Sequence, residues 1–230
     1  MRARRIALNF GALIIVAAMI LLMFLKPDSY VEISAGILLL SIVFLLVRFE
    51  SRKVEARELV LLAVLAAIAV VGRIAFASLP SVKPTTFVIM MSGLVFGAES
   101  GFIIGAVAAL ASNMIFGQGP WTPWQMIAWG LVGYTAGLLR NTAMMRNIWG
   151  KIVFGLLWGF LFGWIMNIWG FLALVQTGGT WSIHAFVTYF AGSALFDLMH
   201  ALSNVFFLLV FGKNWLKILT RFKRKYGLLE

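Results

Sequence analysis

The stretch Gly117-Gln118-Gly119-Pro120-Trp121-Thr122-Pro123-Trp124-Gln125 holds two prolines, two tryptophans and no charge, and it joins two apolar runs each long enough to enter a bilayer. A connector that only bridged helices would be pliable and hydrophilic. Proline instead fixes φ and removes a backbone donor, and tryptophan offers a large rigid face with one N–H. The stretch therefore reads as a preformed lid or wall of a small-molecule site at a membrane surface.

Composition carries that reading to the whole chain. Of 230 residues, 62% are hydrophobic and 12% charged, with a mean hydropathy of +0.99. No soluble core of this size hides so much apolar surface, so the chain is an integral membrane protein. It has no cysteine, which excludes disulfides and thiolate metal sites. The first apolar segment, 6–25, has a basic start but no convincing small-residue cleavage site, and it reads as a retained helix.

The net charge of +11 points to lipid rather than nucleic acid. The basic residues gather in blocks: Arg2, Arg4 and Arg5; Arg48, Arg52, Lys53 and Arg57; Arg140, Arg146 and Lys151; and Lys213, Lys217, Arg221, Lys223, Arg224 and Lys225. Each block flanks an apolar run, as the positive-inside rule expects of cytoplasmic segments facing anionic lipid and a cytoplasmic partner.

A span needs roughly 20 apolar residues to cross about 30 Å of hydrocarbon. The candidates are 6–25, 31–48, 57–78, 85–98, 100–117, 122–140, 150–173 and 183–211. The fourth is short, yet charge placement requires it to cross, with an extended entry after Pro84. The expected fold is thus all-α: eight spans with both termini cytoplasmic, divided into an N-terminal hairpin (1–50), a six-helix core (51–212) and a basic cytoplasmic tail (213–230). Small residues recur at helical spacing within the core, at Gly101, Gly105, Ala108 and Ser112, at Gly130, Gly133 and Gly137, and at Gly155, Gly159 and Gly163. In lipid such faces let helix backbones approach closely.

Three outer connections, 79–84, 118–121 and 174–182, are rich in Pro, Gly, Trp, Thr and Gln. Trp121, Trp124 and Trp181, with Gln118, Gln125, Thr180 and His184, supply stacking faces and hydrogen-bonding tips suited to an orienting pocket. Arg73, one turn inside the third span, either snorkels to the interface or meets a ligand beside Lys83. Thr85 and Asn113 are further candidates for that pocket, and Asn113 and Asn167 either line it or bridge helices. Trp129, Trp149 and Trp158 read as aromatic-belt residues. Asp197 is the one acid deep inside a predicted span, and His200 and Asn204 share its helical face. The stripe either lines a cavity floor, carries a proton or forms an interhelical hydrogen-bond cluster. Two histidines so far apart predict no metal site. No catalytic motif and no phosphate loop is present, so no enzyme activity and no resident cofactor are expected, and ATP-driven transport would need other subunits.

Residues 57–211 resemble the substrate-binding S component of an energy-coupling factor (ECF) vitamin transporter. The likeness lies in Leu61-Leu62-Ala63-Val64-Leu65-Ala66-Ala67-Ile68-Ala69-Val70-Val71-Gly72-Arg73-Ile74, in Phe96-Gly97-Ala98-Glu99-Ser100-Gly101-Phe102-Ile103-Ile104-Gly105-Ala106, and in 116–125. The resemblance implies a six-helix bundle in a prokaryotic plasma membrane, with a vitamin site near its outer face formed by the three connections above. It also implies a transmembrane coupling subunit seated on Ala63 and Ala67, two cytoplasmic ATPases, and toppling of the bundle in the membrane. The 117–125 loop and the extra hairpin look most like the cobalamin-specific branch. In that case Arg73 and Lys83 would bond the polar rim of a corrinoid, Trp121, Trp124 and Trp181 would pack its faces, and Gln118, Gln125 and His184 would orient it. The competing reading is a proton-coupled secondary transporter using Asp197 and His200; a third is an intramembrane enzyme with the same pair as acid and base.

Overall fold

The computed structural model describes residues 56–227 and five isolated positions before them, Ser29, Ile33, Gly36, Leu40 and Val43. The expected N-terminal hairpin otherwise lies outside the described residues. Eight helices follow in order: α1 (Ala56–Ala75), α2 (Thr85–Phe96), α3 (Ala98–Phe116), α4 (Thr122–Leu139), α5 (Ala143–Arg146), α6 (Ile148–Gln176), α7 (Ile183–Gly192) and α8 (Ala194–Tyr226). Every regular element among the described residues is helical, as the apolar runs require. Four of them, α1, α3, α6 and α8, are long and apolar enough to cross a membrane.

Glycine decides how the centre of the bundle packs. A Cβ on Gly133 of α4 would strike the backbone of Gly101 in α3, and one on Gly93 of α2 would strike the Gly133 carbonyl, so three helices meet at backbone contact. Likewise a Cβ on Gly159 of α6 would meet the Ala201 backbone of α8. Such approach is how helices associate where lipid supplies no hydrophobic drive between them. Gly97, at φ 97°, forms the single-residue corner that turns α2 into α3.

The sixth core span differs from expectation. Rather than one helix over 183–211, the chain breaks at Gly192–Ser193 into α7 and α8, and Ser193 bonds back to Phe190. The 10 residues of α7 include none that is buried. In turn α8 extends through 213–226 as 33 continuous residues, roughly 50 Å. The break moves Asp197 from the predicted middle of a span into the first turn of α8, where a carboxylate suits the helix dipole.

Helix α2 positions the site. At 12 residues it is about 18 Å long, well short of a bilayer, and every one of its residues is buried by its neighbours. Its N-terminus is inset: Thr86 meets Trp129, two turns into α4. The 79–84 connector therefore descends into the end of the bundle, where the backbone N–H of Lys83 donates to Ser203 Oγ of α8 at 3.1 Å. At the far end of α2, Lys223 Nζ donates to the Val95 carbonyl.

Candidate functional site

Contacts draw the three Pro/Gly/Trp connectors to one end of the bundle. Trp121 packs edge-on against Trp169 of α6 at 5.7 Å, and Trp181 lies 5.2 Å from Phe171, two residues further along that helix. Arg73 ties in the first connector. Its Nη1 donates to Ser112 Oγ at 2.6 Å and Asn113 Oδ1 at 2.7 Å, so the side chain turns into the bundle rather than snorkelling out. Asn113, fully buried, in turn donates to Thr122 Oγ1 and to Gln125 Oε1 at the start of α4. Gln118 completes the circuit, accepting from Thr122 and donating to the Leu110 carbonyl. The 117–121 connector is thus fastened by its own polar side chains.

Below this net lies Trp129, wholly buried. An indole N–H only donates, so Thr86 Oγ1 accepts it at 3.1 Å, and the Thr86 hydroxyl lies 2.7 Å from His200 Nε2. The arrangement that satisfies all three groups has Thr86 donating to Nε2. Phe162 closes the other side, 5.0 Å from the Trp129 ring and 5.1 Å from His200. Two cations face the same indole: Arg73 Cζ is 5.1 Å and Lys83 Nζ 5.9 Å from its centroid. Arg73 also lies 4.7 Å from the Phe116 ring. Such contacts compensate in part for desolvation. Lys83, in the connector between α1 and α2, has its ammonium pKa pushed down to about 8, first by burial and second by the charge of Arg73.

Several sequence expectations change. Trp124 is not a ligand-facing ring: it is 1% exposed and packs with Ile127 and Leu172, with Ile33 against the same cluster. Thr85 is buried and spends its hydroxyl on the Ala69 carbonyl, fastening α2 to α1. Asp197, His200 and Asn204 do not form one site. Asp197 accepts from Ser193, which also accepts from Asn167; His200 meets Thr86; and Asn204 donates to the Gly155 carbonyl of α6. His200 and Asn204 make separate interhelical bonds and Asp197 a local one to Ser193, just before its own helix, so the three share no hydrogen bond among the described residues. His184 is exposed on the first turn of α7, and Trp181 is 55% exposed. Trp129 and Trp158 leave the aromatic belt for the interior, while Trp149 stays 70% exposed.

Thr86, Ser112, Thr122 and Trp129 are the site residues that sequence reading missed. The signal for Thr86 was present: a Thr-Thr pair directly after Pro84, polar at the head of an otherwise apolar run.

On the outside of α1, Leu62, Leu65, Ala66 and Ala69 face the bundle, whereas Ala63 and Ala67 are exposed beside Val60, Val64, Ile68 and Val71. That leaves a flat apolar strip with small residues one turn apart.

Fold and site together define a membrane-embedded helical bundle with a polar, cation-bearing site beneath shaped connectors at one end. A family model for the substrate-specific component of ECF transporters matches residues 57–222, and the chain belongs to that family. No curated protein and no solved structure matched it. Members are membrane substrate-binding transport subunits rather than enzymes, and they associate with a transmembrane coupling subunit and ATPases.

Proposed function

We propose that this chain captures a vitamin or similar small organic nutrient at the end where 79–84 and 117–121 meet, and hands it inward through a coupling subunit docked on Ala63 and Ala67. The observation that carries this reading is the inward turn of Arg73. A residue that would otherwise reach for the interface is held by Ser112 and Asn113 beneath the 117–121 connector, beside Lys83 and over Trp129. Polar groups converging on a mostly aromatic floor are the chemistry of an orienting pocket.

The exposed strip on α1 supports the second half. Alanines one turn apart with only aliphatic side chains exposed around them, Leu59, Val60, Val64, Ile68 and Val71, permit close approach of another transmembrane helix. Two cytoplasmic ATPases would supply the energy. On this reading the 79–84 end faces outside and Arg140, Arg146 and Lys151 face inside a prokaryotic plasma membrane, which the positive-inside rule supports.

Cobalamin or a related corrinoid is the particular nutrient this reading puts forward, on the resemblance of the 117–125 loop. Its broad faces would lie against Trp121 and Trp181, since Trp124 belongs to the interior. The test is a thermal-shift screen of the purified chain against vitamins and corrinoids. A native ligand at a hundred times its Kd raises stability by about 2.7 kcal/mol, and a corrinoid also colours the protein. Stabilisation by another nutrient removes the corrinoid assignment and leaves the wider reading standing; no stabilisation by any compound removes both.

A further inference from the structure

The proposed site has a charge imbalance that points to the chemistry of its ligand. Arg73 and Lys83 approach one aromatic ring from α1 and from the connector after it, and neither makes an ion pair among the described residues. Among the described residues, the elements packed around them contribute no acid: α3 brings Ser112 and Asn113, α4 brings Gln125 and Trp129, and α8 brings His200 and Ser203. Asp197, the nearest acid along α8, accepts its bond from Ser193 instead.

Each cation also retains unused hydrogen-bonding capacity. Arg73 spends both hydrogens of Nη1 on Ser112 and Asn113, while its Nε and Nη2 donate to no described residue. That edge is the fork which takes a carboxylate or phosphate through two parallel bonds. The Lys83 ammonium likewise makes no hydrogen bond among the described residues, although its backbone is fixed to Ser203. Immediately after it, Pro84 stands at the N-cap of α2 and no side chain caps the helix, so the positive end of that helix lies beside Lys83.

From this geometry we infer that the transported molecule carries an anionic oxygen group, a carboxylate or a phosphate, seated between the free edge of Arg73 and the ammonium of Lys83. The inference rests on the proposed nutrient-binding role and narrows its substrate class. Two like charges held together in a partly dry mouth raise the energy of the empty protein, and an arriving anion relieves that cost in the bound state alone. Selectivity follows, because an uncharged analogue leaves both cations without a counter-ion.

The experiment titrates the purified full-length chain with matched compounds differing in one anionic group. Nicotinate with nicotinamide and pantothenate with panthenol test a carboxylate. Pyridoxal phosphate with pyridoxal, riboflavin phosphate with riboflavin, and cobinamide phosphate with cobinamide test a phosphate. The expected result is one pair whose charged member binds about 10- to 100-fold more tightly. Lys83→Met should erase most of that preference by weakening the charged member far more than the neutral one, with the melting temperature of the unliganded chain no lower. Equal affinity for the two members of the bound pair, or a charged member indifferent to Lys83→Met, overturns the anionic assignment while the nutrient-binding role stands. Binding of no compound overturns that role, and this inference with it.

Discussion

Asn113→Asp separates a charge-recognition site from a purely structural net. The substitution keeps the shape of a fully buried side chain and places a carboxylate oxygen where Oδ1 already lies, 2.7 Å from Arg73 Nη1. Two consequences oppose each other in the empty protein. The donors to Thr122 and Gln125 are lost, at about 1 kcal/mol each, although Gln125 can flip its amide to donate instead. Against this, Arg73 gains a hydrogen-bonded counter-ion, worth a similar total. Little net change in melting temperature is therefore expected. The bound state has no such balance, because an anion on the free edge of Arg73 would sit roughly 7 Å from the new carboxylate, where two unit charges repel by about 2.4 kcal/mol at an effective dielectric of 20. Affinity for the nutrient should fall about 50-fold. The assay is calorimetric titration of wild type and variant with the charged nutrient identified by the paired screen. A variant that melts like wild type and binds with unchanged affinity would refute the reasoning, since the site would then not sense charge at Arg73.

Replacing Ala63 and Ala67 by Trp should abolish uptake in cells while leaving nutrient affinity of the isolated chain within about twofold, because both side chains point away from the bundle; equal loss of both would refute the docking role. Gly133→Ala forces a methyl group into the Gly101 backbone, and a penalty of about 1–3 kcal/mol should appear as a lower melting temperature in detergent. Acidity should act through Lys83, which is surrounded by Arg73 from α1, Trp129 from α4, and His200 and Ser203 from α8. Its pKa is lowered to about 8 in the fold against 10.5 ordinarily, so the unfolded chain binds this proton more tightly, and unliganded stability should rise with pH between those values. Affinity for an anion should move oppositely, weakening as pH climbs through about 8, and Lys83→Met should flatten both trends.

The connectors were legible because their information is local. Pro84, Gly117, Pro120 and Trp121 shape backbone wherever they stand, and the small-residue spacing of Gly101, Gly133 and Gly159 already implied close helix approach. The floor of the site was not legible, because Trp129 and Thr86 owe their roles to depth. Trp129 resembles an interfacial tryptophan until α2 is known to start two turns inside the bundle, and that inset follows from a 12-residue helix packed on four others. The break at Gly192–Ser193 escaped for another reason. Ala191-Gly192-Ser193-Ala194 carries no proline and no charge, so hydropathy runs smoothly across it, and the interruption rests on Ser193 bonding Phe190, Asn167 and Asp197.

The complete enclosure of α2 bears on how the protein is made. With no side chain facing lipid, this helix draws its surroundings from α1 before it and from α3, α4 and α8, all three translated after it. A nascent chain that has emerged only as far as Gly97 carries an 18 Å segment too short to settle in hydrocarbon by itself. The translocon must therefore retain it until the downstream helices close around it, and truncations ending between Gly97 and Leu139 should be cleared by quality-control proteases faster than the full chain.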